Sequence, residues 1–190
     1  MIEFEKKIML TEAEYVFLEN NMFANAETIN QTNYYYDNEM YEMNKRGITF
    51  RIREIDGVYI TIMKDHSKKN TDCSVERQFN LDSVYNDLFL KKMGLFCHGS
   101  LHTKRNTLVL NDVQVMLDKN EYFDTVDYEL EIEYPVELEG NAFDSINAIA
   151  EILFRNGILN ADSELINRIG VGKNKSERFF ERKKAYASEV

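Results

Sequence analysis

The feature that most constrains this chain is its first stretch, Ile2-Glu3-Phe4-Glu5-Lys6-Lys7-Ile8, where charged and apolar residues interleave. Successive side chains of a strand point to opposite faces, so Glu3, Glu5 and Lys7 share one face while Ile2, Phe4 and Ile8 share the other. Two later stretches repeat the pattern. Arg51 and Arg53 alternate with Phe50 and Ile52, and Glu129, Glu131 and Glu133 alternate with Leu130, Ile132 and Tyr134. One such strand is accounted for by a sheet that packs one face on helices and wets the other. Three together ask for more, because alternating carboxylates repel unless a cation comes between them. If the sheet closes into a barrel with helices outside, the apolar faces lie under those helices and the charged faces converge within.

The rest of the chain supplies the material for such a sheet. Thr11-Glu12-Ala13-Glu14 reads as a capping box that opens a helix running to about Asn21. An aromatic, β-prone stretch runs to Asp37, and a turn or short helix leads from there to Gly47. Asp56-Gly57 sits between two alternating runs, the signature of a tight hairpin. A strand is expected around Cys73 to Phe79, then a helix capped by Asp82 and ended by Gly94. Another strand, from about Cys97 to Leu110, turns at Asn111-Asp112 and returns. Pro135 marks the end of the last strand, an amphipathic helix runs from Asn141 to Gly157, and a basic helical tail starts near Lys173. Roughly eight strands and three or four helices predict an α+β fold on an antiparallel sheet or barrel. A lone proline and 8 glycines leave little linker, so a single domain over residues 1–190 is expected.

Charge and composition exclude several functions. A net charge of -10 opposes general binding to nucleic acid or to an anionic membrane. No apolar run approaches a membrane span and the acidic start is unlike a signal peptide, so a cytoplasmic location is expected. Cys73 and Cys97 lack CxxC spacing and read as reduced structural thiols. His98 and His102 lack the further ligands a zinc site needs, and Ser100 has no triad around it. Carboxylates in excess without a histidine and cysteine cluster suit a hard divalent ion, Mg2+ or Mn2+. Arginine forks and lysines suit phosphate oxygens. Both in one cavity point to a metal-bound polyphosphate.

Four motifs in order then carry a resemblance: Glu3-x-Glu5-x-Lys7, Tyr35-Tyr36-Asp37, Phe50-Arg51-Ile52-Arg53 and Glu129-Leu130-Glu131-Ile132-Glu133. The chain resembles, over nearly its whole length, the CYTH superfamily of triphosphate tunnel metalloenzymes, in the bacterial branch that holds class IV adenylate cyclases and thiamine triphosphatase-like proteins. The resemblance implies an eight-stranded antiparallel β-barrel tunnel with helices packed outside. It implies a triphosphate-containing small molecule inside (inorganic triphosphate, thiamine triphosphate or a nucleoside triphosphate), with Mg2+ or Mn2+, no nucleic acid or membrane partner, and a monomer or homodimer.

Carried over by residue, the resemblance gives catalytic roles to Glu3, Glu5, Lys7 and Glu131, and metal ligation to Glu3, Glu5, Glu129, Glu131 and Glu133. Phosphate contacts fall to Lys7, Arg51, Arg53, Lys64, Arg105, Lys175 and Arg178, while Glu76 and Asp118 stand where the family places inward acids. The implied reaction is metal-dependent hydrolysis of inorganic triphosphate, with cyclisation of ATP to cyclic AMP and non-catalytic polyphosphate or nucleotide binding as alternatives. One departure stands out. The family pattern has threonine followed two positions later by lysine, and Ile60-Thr61-Ile62-Met63-Lys64 puts Met63 at the expected lysine. Either a β-bulge after Thr61 turns Lys64 inward, or that contact is lost, with Arg77 or Lys68 to compensate.

Overall fold

A computed structural model of the chain describes residues 2–65, 73–79 and 87–189. Its strands are β1 (Ile2–Leu10), β2 (Glu27–Asp37), β3 (Ile48–Ile55), β4 (Val58–Asp65), β5 (Cys73–Phe79), β6 (Phe96–Leu110), β7 (Val113–Tyr122) and β8 (Thr125–Tyr134). All pairings are antiparallel and close in the order β1-β5-β4-β3-β2-β6-β7-β8, with β8 returning to β1. The expected α+β barrel is therefore the fold. Its helices are α1 (Glu12–Asn20), α2 (Glu42–Lys45), α3 (Asp87–Lys92), α4 (Glu139–Arg155), α5 (Ser163–Ile166) and α6 (Lys175–Glu189). Asp82, Lys68 and His66 lie outside the described residues.

Local chemistry sets the turns. Asp56 and Gly57 (φ 50° and 79°) and Asn111 and Asp112 (φ 49° and 64°) take the left-handed region that two-residue hairpin turns require. At the start of α1, Glu14 N donates to Thr11 Oγ1 (3.3 Å) and Thr11 N donates to Glu14 Oε2 (2.7 Å), the reciprocal capping box.

The apolar strand faces pack outward, as the alternation requires. Ile8, Val115, Leu117, Leu130 and Ile132 meet Leu18 of α1 and Ile146, Ile149 and Leu153 of α4 in the largest core. Each such side chain, fully buried, contributes about 1.5–3 kcal/mol, and this burial fixes which face of every strand looks inward. Lys6 falls on the apolar face and escapes along it, its Nζ donating to Glu139 Oε1 at 3.0 Å and lying 4.3 Å from the Phe143 ring centroid. On the other side, Leu90 of α3 covers Tyr36 and Ile52.

The basic tail has a different place from a solvated surface helix. Phe179 and Phe180 of α6 form a buried cluster with Tyr35, Leu101 and Tyr122, all on the inward parity of their strands, so α6 plugs one end of the barrel. Gly99 (φ 130°) makes room, since a Cβ there would sit 3.2 Å from Phe179 Cζ. Among the described residues no helix is long and apolar enough to cross a membrane.

Candidate functional site

The unplugged part of the barrel encloses a cavity of about 430 Å3. Exposed Glu27, Gln78 and Gln114 stand at its mouth. Opposite chemistry lines its two sides.

One side is acidic. Asp118 of β7 and Glu129 and Glu131 of β8 each offer a carboxylate oxygen, all within 4.8 Å of one another, and all three residues are buried. Their charge is balanced by the chain's own cations. Arg105 of β6 grips Asp118 with two bonds (Nε to Oδ1 2.8 Å, Nη2 to Oδ2 2.6 Å) and also donates to Glu131. Lys175 of α6 donates to Asp118 Oδ2 (2.8 Å), Glu131 Oε1 (2.9 Å) and Glu129. Arg178 donates to Glu129 Oε2 (2.6 Å) and clamps Asp127 (2.8 and 3.1 Å). Lys7 lies 3.5 Å from both Glu5 Oε1 and Glu131 Oε1, and Lys64 Nζ is 3.1 Å from Glu5 Oε2.

These contacts set the protonation states. Burial alone would raise the Asp118 carboxyl, but Arg105 and Lys175 hold it well below the usual carboxylate range. Glu5 behaves likewise, with Lys7 and Lys64 overcoming the cost of burial. Lys7 stays above its ordinary value because Glu5 and Glu131 outweigh burial, and Arg105 does so because of Asp118 and Glu131. Burial, with Arg105 and Lys7 nearby, pulls the Lys175 amine down against the attraction of Asp118. The geometry nevertheless selects the protonated form, since three carboxylates surround a nitrogen that has three N–H donors only as an ammonium.

The other side is basic. Arg51 and Arg53 of β3 project inward beside Lys64 of β4. Arg51 Nη2 is 3.7 Å from Glu76 Oε2, and Arg53 Nε donates to Asn33 Oδ1 at 3.1 Å. Burial, with Arg51 and Arg105 adding repulsion, lowers Arg53 to about 9. The attraction of Glu76 offsets only part of that loss, so a further anion beside Arg53 would be favoured.

The register of the β3–β4 hairpin corrects the expectation about Lys64. Thr49 pairs with Lys64, Phe50 with Met63, Arg51 with Ile62 and Ile52 with Thr61, without a shift. Residues directly opposite share a face, so Lys64 and Ile62 face the tunnel while Thr61 and Met63 face out. Lys64 reaches the cavity by plain alternation. No bulge is needed, the lysine stays on the tunnel face, and Ile62 stands where the family pattern has threonine.

Of the other expected site residues, Glu5, Lys7, Glu131 and Glu133 line the cavity, and Glu129 lies in the buried cluster with Glu131. Asp118 completes that cluster. Arg178 stands behind Glu129, away from the open cavity. Glu3 is paired with Ser74 through its backbone, and its side chain lies outside the described residues. His98 and His102 turn to separate partners, Lys183 with the Asp37 carbonyl and Thr32 respectively. Reading the sequence missed Gln31 and Asn33, which with Tyr35 of the Tyr35-Tyr36-Asp37 motif form the inward row of β2 beside Arg51 and Arg53.

The family profile of the CYTH domain matches residues 1–161. The chain belongs to the CYTH domain family. All eight strands lie within the match, whereas α6, with Lys175 and Arg178, lies beyond it. The CYTH fold is also similar to solved structures. A candidate adenylate cyclase from Bacillus halodurans superposes with a TM-score of 0.66 at 19% identity, covering 94% of this chain and 97% of its own. A Hippeastrum protein described as a candidate adenylyl cyclase with a dominant triphosphatase activity gives 0.56 at 16%, covering 83% and 96%. A Pyrococcus horikoshii protein gives 0.61 at 16%, covering 95% and 99%. No curated protein matches the sequence.

The donor set of this CYTH tunnel fits a hard divalent ion. Asp118, Glu129 and Glu131 present only carboxylate oxygens, and a cation, the Lys175 ammonium, already stands among them.

Proposed function

We propose that this CYTH protein is a metal-dependent triphosphatase whose first substrate is inorganic triphosphate. One observation carries the reading: Arg51, Arg53 and Lys64 face a buried carboxylate cluster across a single cavity. The triphosphatase activity described for the Hippeastrum protein supports the hydrolytic outcome.

Arg51, Arg53, Lys64 and Lys7 would bind and orient the phosphates, with Arg105 and Lys175 joining from the acidic side. Because the barrel gathers them before the ligand arrives, their charge would stabilise the transition state with little reorganisation beyond the exchange of Lys64 from Glu5 to phosphate. Asp118, Glu129 and Glu131, with Glu3, Glu5 and Glu133 as further carboxylates, would hold Mg2+ or Mn2+. A bound ion supplies charge neutralisation and polarisation of a phosphoryl oxygen. Glu5 and Glu131 flank Lys7, and either would accept a proton from an attacking water. Glu5 is a weak base while Lys7 and Lys64 hold it, and it becomes stronger if Lys64 moves to phosphate.

Orthophosphate release from tripolyphosphate tests this. Glu131→Gln should lower metal-dependent turnover by at least about 100-fold with an unchanged circular dichroism spectrum. Turnover equal to wild type removes Glu131 from the chemistry and defeats the assignment.

A further inference from the structure

We infer that β2 adds a neutral hydrogen-bonding rail to the anion site, formed by Gln31, Asn33 and Tyr35, which takes the phosphate chain of a substrate that enters phosphate first, with its terminal phosphoryl group at the Tyr35 end. The inference rests on the triphosphate reading above and deepens it.

The three residues occupy alternate positions of one strand, so they share the inward face and span about 13 Å along it. Gln31 is 3% exposed, and Asn33 and Tyr35 are 0% exposed. Gln31 Nε2, Asn33 Nδ2 and Tyr35 Oη have no hydrogen-bond partner among the described residues, and neither does Arg51 Nε beside them. The identity of the Asn33 amide is fixed, because its oxygen accepts from Arg53 Nε, a group that can only donate. What remains free on Asn33 is therefore a donor, as it is on Arg51.

Buried donors left unpaired destabilise a fold, and native proteins keep them where a ligand completes them. Two fixed donors, Asn33 Nδ2 and Arg51 Nε, with the Gln31 amide and the Tyr35 hydroxyl able to donate beside them, suit a partner that is rich in acceptors and carries no donors of its own. A fully ionised phosphate chain meets that requirement; a nucleobase, which presents donors as well, does not. Tyr35 marks the inner end of the rail, since its ring packs on Phe179 of the plug with centroids 4.7 Å apart. Glu27, on the same face of β2, stands at the mouth. An organic substituent on the anion thus has room only toward the mouth, and the bare phosphoryl terminus lies toward Tyr35.

Calorimetric titration of the full chain with tripolyphosphate in chelator, together with ligand-free thermal melts, tests the rail. Wild type should bind. Tyr35→Phe and Gln31→Met should each weaken binding by about tenfold, while Tyr35→Phe leaves the ligand-free melting temperature unchanged or raises it, because the deleted hydroxyl satisfies nothing inside the protein. If wild type binds and both variants bind within twofold of it, the rail is wrong although the anion site stands. A lower ligand-free melting temperature for Tyr35→Phe also overturns the rail, by showing that the hydroxyl has a structural partner. Failure of wild type itself to bind, both in chelator and with Mg2+ present, would instead remove the triphosphate reading on which the rail rests.

Discussion

Lys175 Nζ sits 2.8 Å from Asp118 Oδ2, and Glu129 and Glu131 close around the same nitrogen. A helix beyond the CYTH match thus delivers a cation to the centre of the only group of acids, among the described residues, spaced to hold a metal. Ammonium and divalent ion compete for the same oxygens. Lys175→Met should therefore tighten Mn2+ binding at least fivefold in the absence of substrate, read by electron paramagnetic resonance of free Mn2+. Unchanged or weaker binding would show that Lys175 and the metal occupy separate positions.

The register of the β3–β4 hairpin assigns opposite outcomes to neighbouring residues. Lys64→Met should weaken tripolyphosphate binding by about tenfold, the scale of one charge-assisted hydrogen bond, whereas Met63→Lys should leave it within twofold. Calorimetric titration of both variants checks this, and the reverse ranking would place Met63 on the tunnel face.

That register was legible in the sequence, though not by the route that motif spacing offers. Asp56-Gly57 fixes Ile55 opposite Val58, and counting outward from the turn pairs Arg51 with Ile62 and Thr49 with Lys64. Starting from Thr61 instead put the pattern one residue early. The inward faces of β1, β3 and β8 were readable because a strand period of two leaves no freedom once the apolar face is known. The position of α6 was not readable in the same way. The carboxylate that receives Lys175 lies 57 residues earlier in the chain, so locally the tail looks like any solvated basic helix. The β2 row was obscured because its polar residues continue on both faces, which gives alternation no contrast.

Gly99 is required by the plug rather than by the strand. Gly99→Ala adds a Cβ 3.2 Å from Phe179 Cζ at a φ of 130°, a region L residues avoid. A loss of about 1–3 kcal/mol is expected, with faster hydrogen exchange in α6 than in β1 or β8. Uniform exchange across the molecule would contradict a local effect on the plug.

Outside the tunnel, Arg168 holds α1 to the segment that follows α5. Its Nη2 and Nη1 donate to Glu14 Oε1 (2.7 Å) and Oε2 (3.0 Å). Burial raises the Glu14 carboxyl, but the bonds from Arg168 and Thr11 prevail and keep it below its ordinary value. A lowered carboxyl stabilises the fold above its unfolded pKa of about 4.3, and that contribution is lost as pH falls through the lower folded value. Arg168→Met should cost about 1–3 kcal/mol at neutral pH, discounted because the guanidinium is partly exposed, and should flatten the acid limb of the melting curve. Equal loss at every pH would place the effect in packing alone.

Phosphorus NMR of the protein with tripolyphosphate or ATP, each with Mg2+ or Mn2+ and with chelator, reads whether a triphosphate is cleaved inside the tunnel. Orthophosphate and pyrophosphate should form from tripolyphosphate with metal and not with chelator. Cyclic AMP and pyrophosphate from ATP with tripolyphosphate left intact would contradict hydrolysis and assign the same tunnel to cyclisation.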